Sequence, residues 1–181
     1  MKKSISDYYI LLLLALMFAM PGIAAYFFYH HPQWLGTAKV NKGTLLSEPL
    51  PLTSLDGKSK WRILLWSPEY CDEPCLQELD KLARVRLALG RKLYLVDQTL
   101  LLNDAADVSS AGQNMIQERD FHITTLTGRE IVQLTALSNH PRIFIANPDN
   151  YVVLSYPSRI NPEDVYKDLK LLLNTSETKN G

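Results

Sequence analysis

The chain contains two cysteines, Cys71 and Cys75, four residues apart in the segment EYCDEPC. In a helix, residues i and i+4 project from the same face, and one turn separates their Cα atoms by about 6 Å. That spacing allows a disulfide, and it also lets both sulfurs bind one soft metal ion. The positive end of the helix dipole favours Cys71 as the nucleophile or first ligand, whereas Asp72 and Glu73 add opposing negative charge. The pair therefore predicts redox chemistry or metal binding, with a structural disulfide as the alternative.

A third ligand would sharpen the metal hypothesis, because two thiolates with an imidazole suit copper. The histidines are His30, His31, His122 and His140. The first two lie at the end of an apolar segment, and His122 falls within a predicted strand. His140 directly precedes Pro141 in a loop before another predicted strand, and we expect that loop to lie beside the cysteine helix. The alternative for His140 is an exposed loop histidine without a ligand role.

The cysteine pair should lie at the start of a helix. Apolar residues recur at spacings of four and three along residues 71–90, which indicates one buried helical face. Pro74 is tolerated in a first turn, and Gly90 is suited to end the helix. The residues of this face are Cys75, Leu79, Leu82, Val85 and Leu89.

The remaining elements alternate between strands and helices. Helices are predicted at 111–119, at 128–137 behind a Thr127–Glu130 capping box, and after Asn161 with Pro162 in its first position. A buried strand, WRILLW, precedes the cysteines. Strands are predicted at 52–55, 61–66, 93–96, 121–126, 142–146 and 151–156. This alternation predicts an α/β fold, a mixed sheet with helices on both faces.

The first part of the chain reads as a membrane anchor. Residues 8–29 contain no charged side chain and are long enough to span a bilayer. Lys2 and Lys3 precede them, so we expect residues 1–7 in the cytoplasm and the rest across the inner membrane, on the periplasmic side. The alternative is a signal peptide cleaved near Ala24 and Ala25. We further expect a juxtamembrane linker at 30–42, one domain at 43–173 and a flexible segment at 174–181.

The overall charge excludes some functions. Lysine and arginine number 19, aspartate and glutamate number 19, and the formal net charge is +0. A nucleic-acid partner is therefore not expected, because such proteins need a basic face. No carboxylate pair, serine–histidine set, glycine-rich phosphate loop or zinc-ligand spacing stands out either.

Several motifs together resemble a known superfamily. Pro141, the strand RIFIA and the turn NPDN resemble the cis-proline and following hairpin of thioredoxin-like proteins. Over about residues 43–173, WRILLWSPEYCDEPC, LTGREIVQL and HPRIFIANPDNYVV resemble the Sco family of membrane-anchored copper chaperones for cytochrome c oxidase. The resemblance implies a thioredoxin-like domain, copper held by Cys71, Cys75 and His140, and a cytochrome oxidase subunit or another assembly factor as partner.

Three functions remain open at this point. The first is copper handling in cytochrome c oxidase assembly, through both cysteines and His140. The second is a periplasmic thiol–disulfide oxidoreductase, in which Cys71 attacks, Cys75 resolves the mixed disulfide and Pro141 shapes the docking groove. The third is a non-catalytic scaffold of a membrane complex, with the cysteines as a staple. We rank copper handling first, which makes a metallochaperone the expected class rather than an enzyme.

Overall fold

The computed structural model describes residues 5–31, 41–57, 60–68, 70–103, 108, 110–138, 140, 142–157 and 159–179. The chain divides into two compact units, Met1–Val40 and Asn41–Gly181.

The first unit contains one apolar helix, α1 (Ile5–His30), with Pro21 inside it. The segment Tyr8–His30 has a mean hydropathy of 2.3, and none of it is buried. A water-soluble domain would bury such a helix, whereas a membrane span or a signal sequence leaves its apolar side chains for lipid. Helix α1 is thus the apolar helix that the sequence predicts at 8–29, long enough to cross a membrane.

The second unit is built on one mixed sheet. Its strands are β1 (Thr44–Pro51), β2 (Trp61–Ser67), β3 (Val96–Leu102), β4 (His122–Thr125), β5 (Arg142–Ala146) and β6 (Tyr151–Pro157). They lie in the order β1-β6-β5-β2-β3-β4. Strand β2 is parallel to β3 and β3 to β4, whereas β1–β6, β6–β5 and β5–β2 are antiparallel.

Helices cover both faces of this sheet. They are α2 (Glu73–Ala88), α3 (Ser110–Glu118), α4 (Gly128–Leu137) and α5 (Pro162–Lys179), with a 3₁₀ helix at Gly90–Leu95. One core joins α2, α3 and α5 to Ile63 and Leu65 of β2. The other joins α4 to Leu64 and Trp66 of the same strand. Alternate residues of β2 therefore serve opposite faces, as expected for a strand buried on both sides.

Most predicted elements are confirmed, and three are corrected. The predicted strand at 52–55 is wrong: Leu52 and Leu55 are buried loop residues, and the strand is β1, just before them. The predicted strand at 93–96 is also wrong, because the 3₁₀ helix continues to Leu95 and β3 begins at Val96. The last helix extends to Lys179, so residues 174–179, expected to be flexible, are helical.

A buried carboxylate fixes the start of the second unit. The Asp168 carboxylate accepts hydrogen bonds from the backbone N–H groups of Lys42 and Gly43 and from the Tyr156 hydroxyl, the last at 2.8 Å. Gly43 lies against the Tyr156 ring, where an added Cβ would meet the ring at 2.5 Å. Burial, the Asp168 hydrogen bond and the Asp168 charge together raise the pKa of Tyr156, so its hydroxyl remains a donor. The chain therefore enters the domain at one fixed point on α5.

A second buried carboxylate, Glu130, fixes α4 on the other face. It completes the predicted capping box with the Thr127 hydroxyl (2.7 Å) and backbone N–H (2.9 Å). It also accepts hydrogen bonds from Thr53 and from the backbone and side chain of Ser54. Burial alone would raise the pKa of Glu130, but the hydrogen bonds from Ser54 and Thr127 outweigh it and lower the pKa to about 2. One carboxylate therefore joins α4 to the loop that follows β1.

Candidate functional site: the Cys71–Cys75 cleft

Three chain segments meet at one end of the sheet. Strand β2 leads to the cysteine segment, and its residue Trp66 pairs with Arg142 at the start of β5. Arg142 in turn pairs with Pro157 at the end of β6. Because these pairs are antiparallel, the chain leaving β2, the chain entering β5 and the chain leaving β6 are adjacent. The sheet topology thus brings distant parts of the sequence to the cysteines.

The cysteine segment is fixed by a helix cap. Asp72 is the N-cap of α2, and its Oδ1 atom accepts a hydrogen bond from the Cys75 N–H at 3.3 Å. Pro74 lies in the first turn, where a missing N–H has no cost. Cys75 is thus in the first turn, whereas Cys71 lies just before the cap and forms an isolated bridge with Val108. We expected both cysteines at the start of one helix. Cys75 is in the first turn of α2, and Cys71 precedes the N-cap residue by one position.

The two cysteines form a disulfide. Their Cα atoms are 5.2 Å apart, close to the distance expected from one helical turn. Both residues are almost fully buried, with 1% of Cys71 and 3% of Cys75 exposed. The sulfurs are therefore largely covered by protein, and the opening that the described residues form lies beside Cys75.

That open side is a cleft of about 790 Å³. Its apolar lining includes Leu65 and Ile143 from adjacent strands, which belong to the same core as the cysteines. Glu78 and Lys81 of α2 line it as an ion pair with an N–O distance of 2.6 Å. Cys75 lines the cleft, and Cys71 does not belong to its lining.

The structure brings His140 to the same cleft. Its backbone is held by Ser138, whose hydroxyl accepts from the His140 N–H and donates to the His140 carbonyl, both at 3.1 Å. The residue itself is exposed. Pro141, the candidate cis-proline, lies outside the described residues. His122 is exposed on the edge strand β4, and His30 belongs to α1.

Two further cleft residues were missed by the sequence analysis. Tyr70 precedes Cys71 and is 53% exposed, and Arg159 follows β6. Arg159 has a positive φ of 66°. Tyr70 and Arg159 follow the two strands that flank β5, so only the strand order would have identified them as neighbours of the cysteines. The strand order cannot be deduced from local sequence patterns.

Comparison with known proteins agrees with this geometry. Residues 61–176 match the model of a family described as transmembrane-like, thioredoxin-like, C-terminal domain. The chain belongs to this family. No curated protein matches the chain in sequence.

Solved structures show the same fold for this transmembrane-like, thioredoxin-like domain. The apo Sco1 protein from Thermus thermophilus is 18% identical, with 73% of this chain and 96% of that chain covered at a TM-score of 0.53. Arabidopsis thaliana ScoI with copper bound is 14% identical, with 71% and 98% covered at 0.52. Yeast Sco1 with copper bound is 14% identical, with 72% and 94% covered at 0.50. The predicted resemblance is therefore confirmed for the fold.

Proposed function

We propose that this protein is a membrane-anchored copper-handling protein that binds copper through Cys71, Cys75 and His140. One observation carries the proposal: His140 lines the same cleft as Cys75, although the two residues are far apart in sequence. This placement meets the first geometric requirement for a loop ligand of the cysteine pair. The fold shared with two Sco proteins solved with copper bound supports this choice of metal.

The ligand set suits copper chemically. Reduction of the Cys71–Cys75 disulfide by a cellular dithiol transfers two electrons and gives two thiols, which bind Cu(I) as thiolates. An imidazole nitrogen of His140 completes a three-ligand site. The disulfide form offers no thiolate, so it is the copper-free state of the cycle.

Copper binding needs a rearrangement of side chains. Among the residues that the structure describes, no group of three His, Cys, Asp or Glu side chains is already placed to hold a metal ion. Opening the disulfide frees both sulfurs, and the exposed His140 side chain turns toward them while its backbone stays bonded to Ser138. We therefore expect copper to order the His140 side chain.

Copper titration tests the ligand set. We expect the full-length reduced protein in detergent micelles to bind one Cu(I) per chain against a competing chelator. The His140→Ala variant should bind more weakly by at least about tenfold, which corresponds to ~1.4 kcal/mol. His122→Ala is the matched control, because His122 is exposed on β4 outside the cleft lining. A reduced protein that binds no copper refutes the proposal, and an unchanged His140→Ala affinity removes His140 from the ligand set.

The location and destination of the copper are part of the same proposal. Lys2 and Lys3 precede α1, and this charge asymmetry favours a domain on the periplasmic side of the inner membrane. From there the protein would pass copper to a subunit of cytochrome c oxidase. Protease treatment of spheroplasts should degrade the domain, and cells that lack the protein should show reduced oxidase copper content. A protected domain contradicts the location.

Thiol–disulfide exchange at the same pair is the second candidate. The observation that favours it is the disulfide itself, formed next to an open cleft. If exchange is the function, a variant with one cysteine replaced should accumulate a mixed disulfide with its partner in cells, because the resolving thiol is missing. Cys71→Ser and Cys75→Ser show which cysteine forms that bond. The sequence favours Cys71 as nucleophile, whereas Cys75 lines the cleft. If neither variant traps a partner while both accumulate normally, exchange is not the function.

A further inference from the structure

Arg159 is the cation of the cleft that has no partner within the described residues. The lysine in the lining, Lys81, is already paired with Glu78. Asp72, the remaining acid of the lining, has one carboxylate oxygen committed to the Cys75 N–H. Arg159 is exposed and makes no hydrogen bond or ion pair to any residue that the structure describes. Among the residues that the structure describes, the guanidinium group at the cleft thus has no acceptor.

The backbone of Arg159 supports a role for its side chain. Its φ of 66° lies in the left-handed region, which an arginine enters at an energetic cost and a glycine without one. Asn161, two residues later, caps α5 through the Glu163 N–H at 3.1 Å, so the connection from β6 to α5 is tight. An arginine at a position suited to glycine points to a use for the guanidinium group.

We propose that Arg159 binds a carboxylate of the protein partner and so docks an acidic segment of that partner beside the cysteine pair. This inference rests on the proposed function, because it assumes that a partner approaches the cleft. Guanidinium groups bind carboxylates through two parallel hydrogen bonds, which fixes direction as well as distance. Leu65 and Ile143 also belong to the lining, but each is only 1% exposed, so the guanidinium group is the main contact that this side of the cleft offers to the segment.

A pair of small disulfide probes tests the role of Arg159 without knowledge of the partner. Dithiobis(nitrobenzoate) carries a carboxylate on each ring, and dithiodipyridine is uncharged at neutral pH. One cysteine thiolate attacks the probe disulfide and releases an aryl thiolate. The other cysteine thiolate then attacks the mixed disulfide, releases the second aryl thiolate and re-forms the Cys71–Cys75 bond. Two electrons pass to the probe. The two cysteine protons go to solvent with dithiobis(nitrobenzoate), and to the ring nitrogens of the two released pyridinethiones with dithiodipyridine.

The expected result is selective for the charged probe. In the full-length reduced protein, Arg159→Gln should slow the reaction with dithiobis(nitrobenzoate) by about fivefold at low salt, and added salt should reduce this difference. The rate with dithiodipyridine should not change. Arg129→Gln is the matched control, since Arg129 is exposed on α4 at the opposite face of the sheet. It should leave both rates unchanged.

Two outcomes overturn the inference. Equal slowing of both probes would mean that Arg159 acts on the thiolates rather than on the incoming carboxylate, and no slowing would mean that it acts on neither. Arg159→Gly separates side chain from backbone: it should be as slow as Arg159→Gln, and a wild-type rate would also refute the role of the guanidinium group. Copper affinity of Arg159→Gln should equal that of the wild type. A protein that binds no copper but keeps the probe selectivity would refute the proposed function alone.

Discussion

Glu130 should make a pH-dependent contribution to stability that one substitution can isolate. Its carboxylate accepts hydrogen bonds from Thr53, Ser54 and Thr127, and Glu130 is 3% exposed. In Glu130→Gln, one carboxylate oxygen becomes an NH₂ group, which cannot accept from a backbone N–H. Each oxygen of the wild type accepts from at least one backbone N–H, from Thr53 and Ser54 on one side and from Thr127 on the other. Either orientation of the glutamine therefore leaves at least one backbone N–H without the oxygen that accepts from it in the wild type.

The magnitude follows from the pKa of Glu130. The pKa falls from 4.5 to about 2 on folding. At 1.36 kcal/mol per unit, this difference corresponds to about 3 kcal/mol of stability above the unfolded pKa. Because the folded pKa is the lower one, the contribution is present above about pH 4.5 and is lost as the pH falls through about 2. At about pH 3 roughly 1.5 kcal/mol remains.

Urea unfolding of the wild type and Glu130→Gln checks both the size and the sign. At about pH 7 the variant should be less stable by about 3 kcal/mol, or roughly 9 °C in melting temperature. At about pH 3 the difference should be only about half as large. Glu118→Gln, at an exposed residue of α3, is the control and should differ little from the wild type at either pH. A stability difference that does not shrink between the two pH values would refute the reasoning.

Two other predictions concern the domain start and the cysteines. Gly43→Ala should destabilise the domain by about 1–3 kcal/mol in thermal unfolding, because the new Cβ meets the buried ring of Tyr156. Gly128→Ala is the control and should be nearly neutral, because no atom lies within 4 Å of its Cβ. Equal effects of the two substitutions would contradict the close approach. Reduction of the Cys71–Cys75 disulfide should lower the free energy of unfolding by about 2 kcal/mol, since the bond closes a short loop with a sequence separation of 4. A Cys71→Ser/Cys75→Ser protein should not respond to the reductant, and an equal response there would show that the reductant acts elsewhere.

Local sequence signals were sufficient for most helices and strands. The apolar face of α2, the Thr127–Glu130 box and the Asn161–Pro162 start of α5 each correspond to a hydrogen bond or a buried stripe in the structure. These features depend on neighbours within about four residues, which a sequence displays directly. The error at 52–55 arose because Leu52 and Leu55 are buried without belonging to a strand. The error at 93–96 arose where apolar residues of the 3₁₀ helix directly precede β3.

The site was only partly accessible from sequence. The cysteine spacing identified its centre, and a loop histidine before a strand was a reasonable candidate ligand that the structure places in the cleft. Arg159 was not found, because nothing near it in the sequence indicates that β5 lies between β6 and β2, which brings the end of β6 near the cysteines. Residues that come together only through sheet order require the long-range pairing, and a single sequence does not display it.

The edge strand β1 affects whether copies of this domain can pair through their sheets at a membrane surface. Anchored proteins are confined to two dimensions, where identical copies collide often and exposed sheet edges tend to join. Pro49 and Pro51 of β1 have no N–H group to offer a neighbouring chain, and the opposite edge, β4, is only four residues long. Neither edge of the sheet can easily pair with a strand of a second molecule, so we expect these domains to remain monomeric when they are crowded.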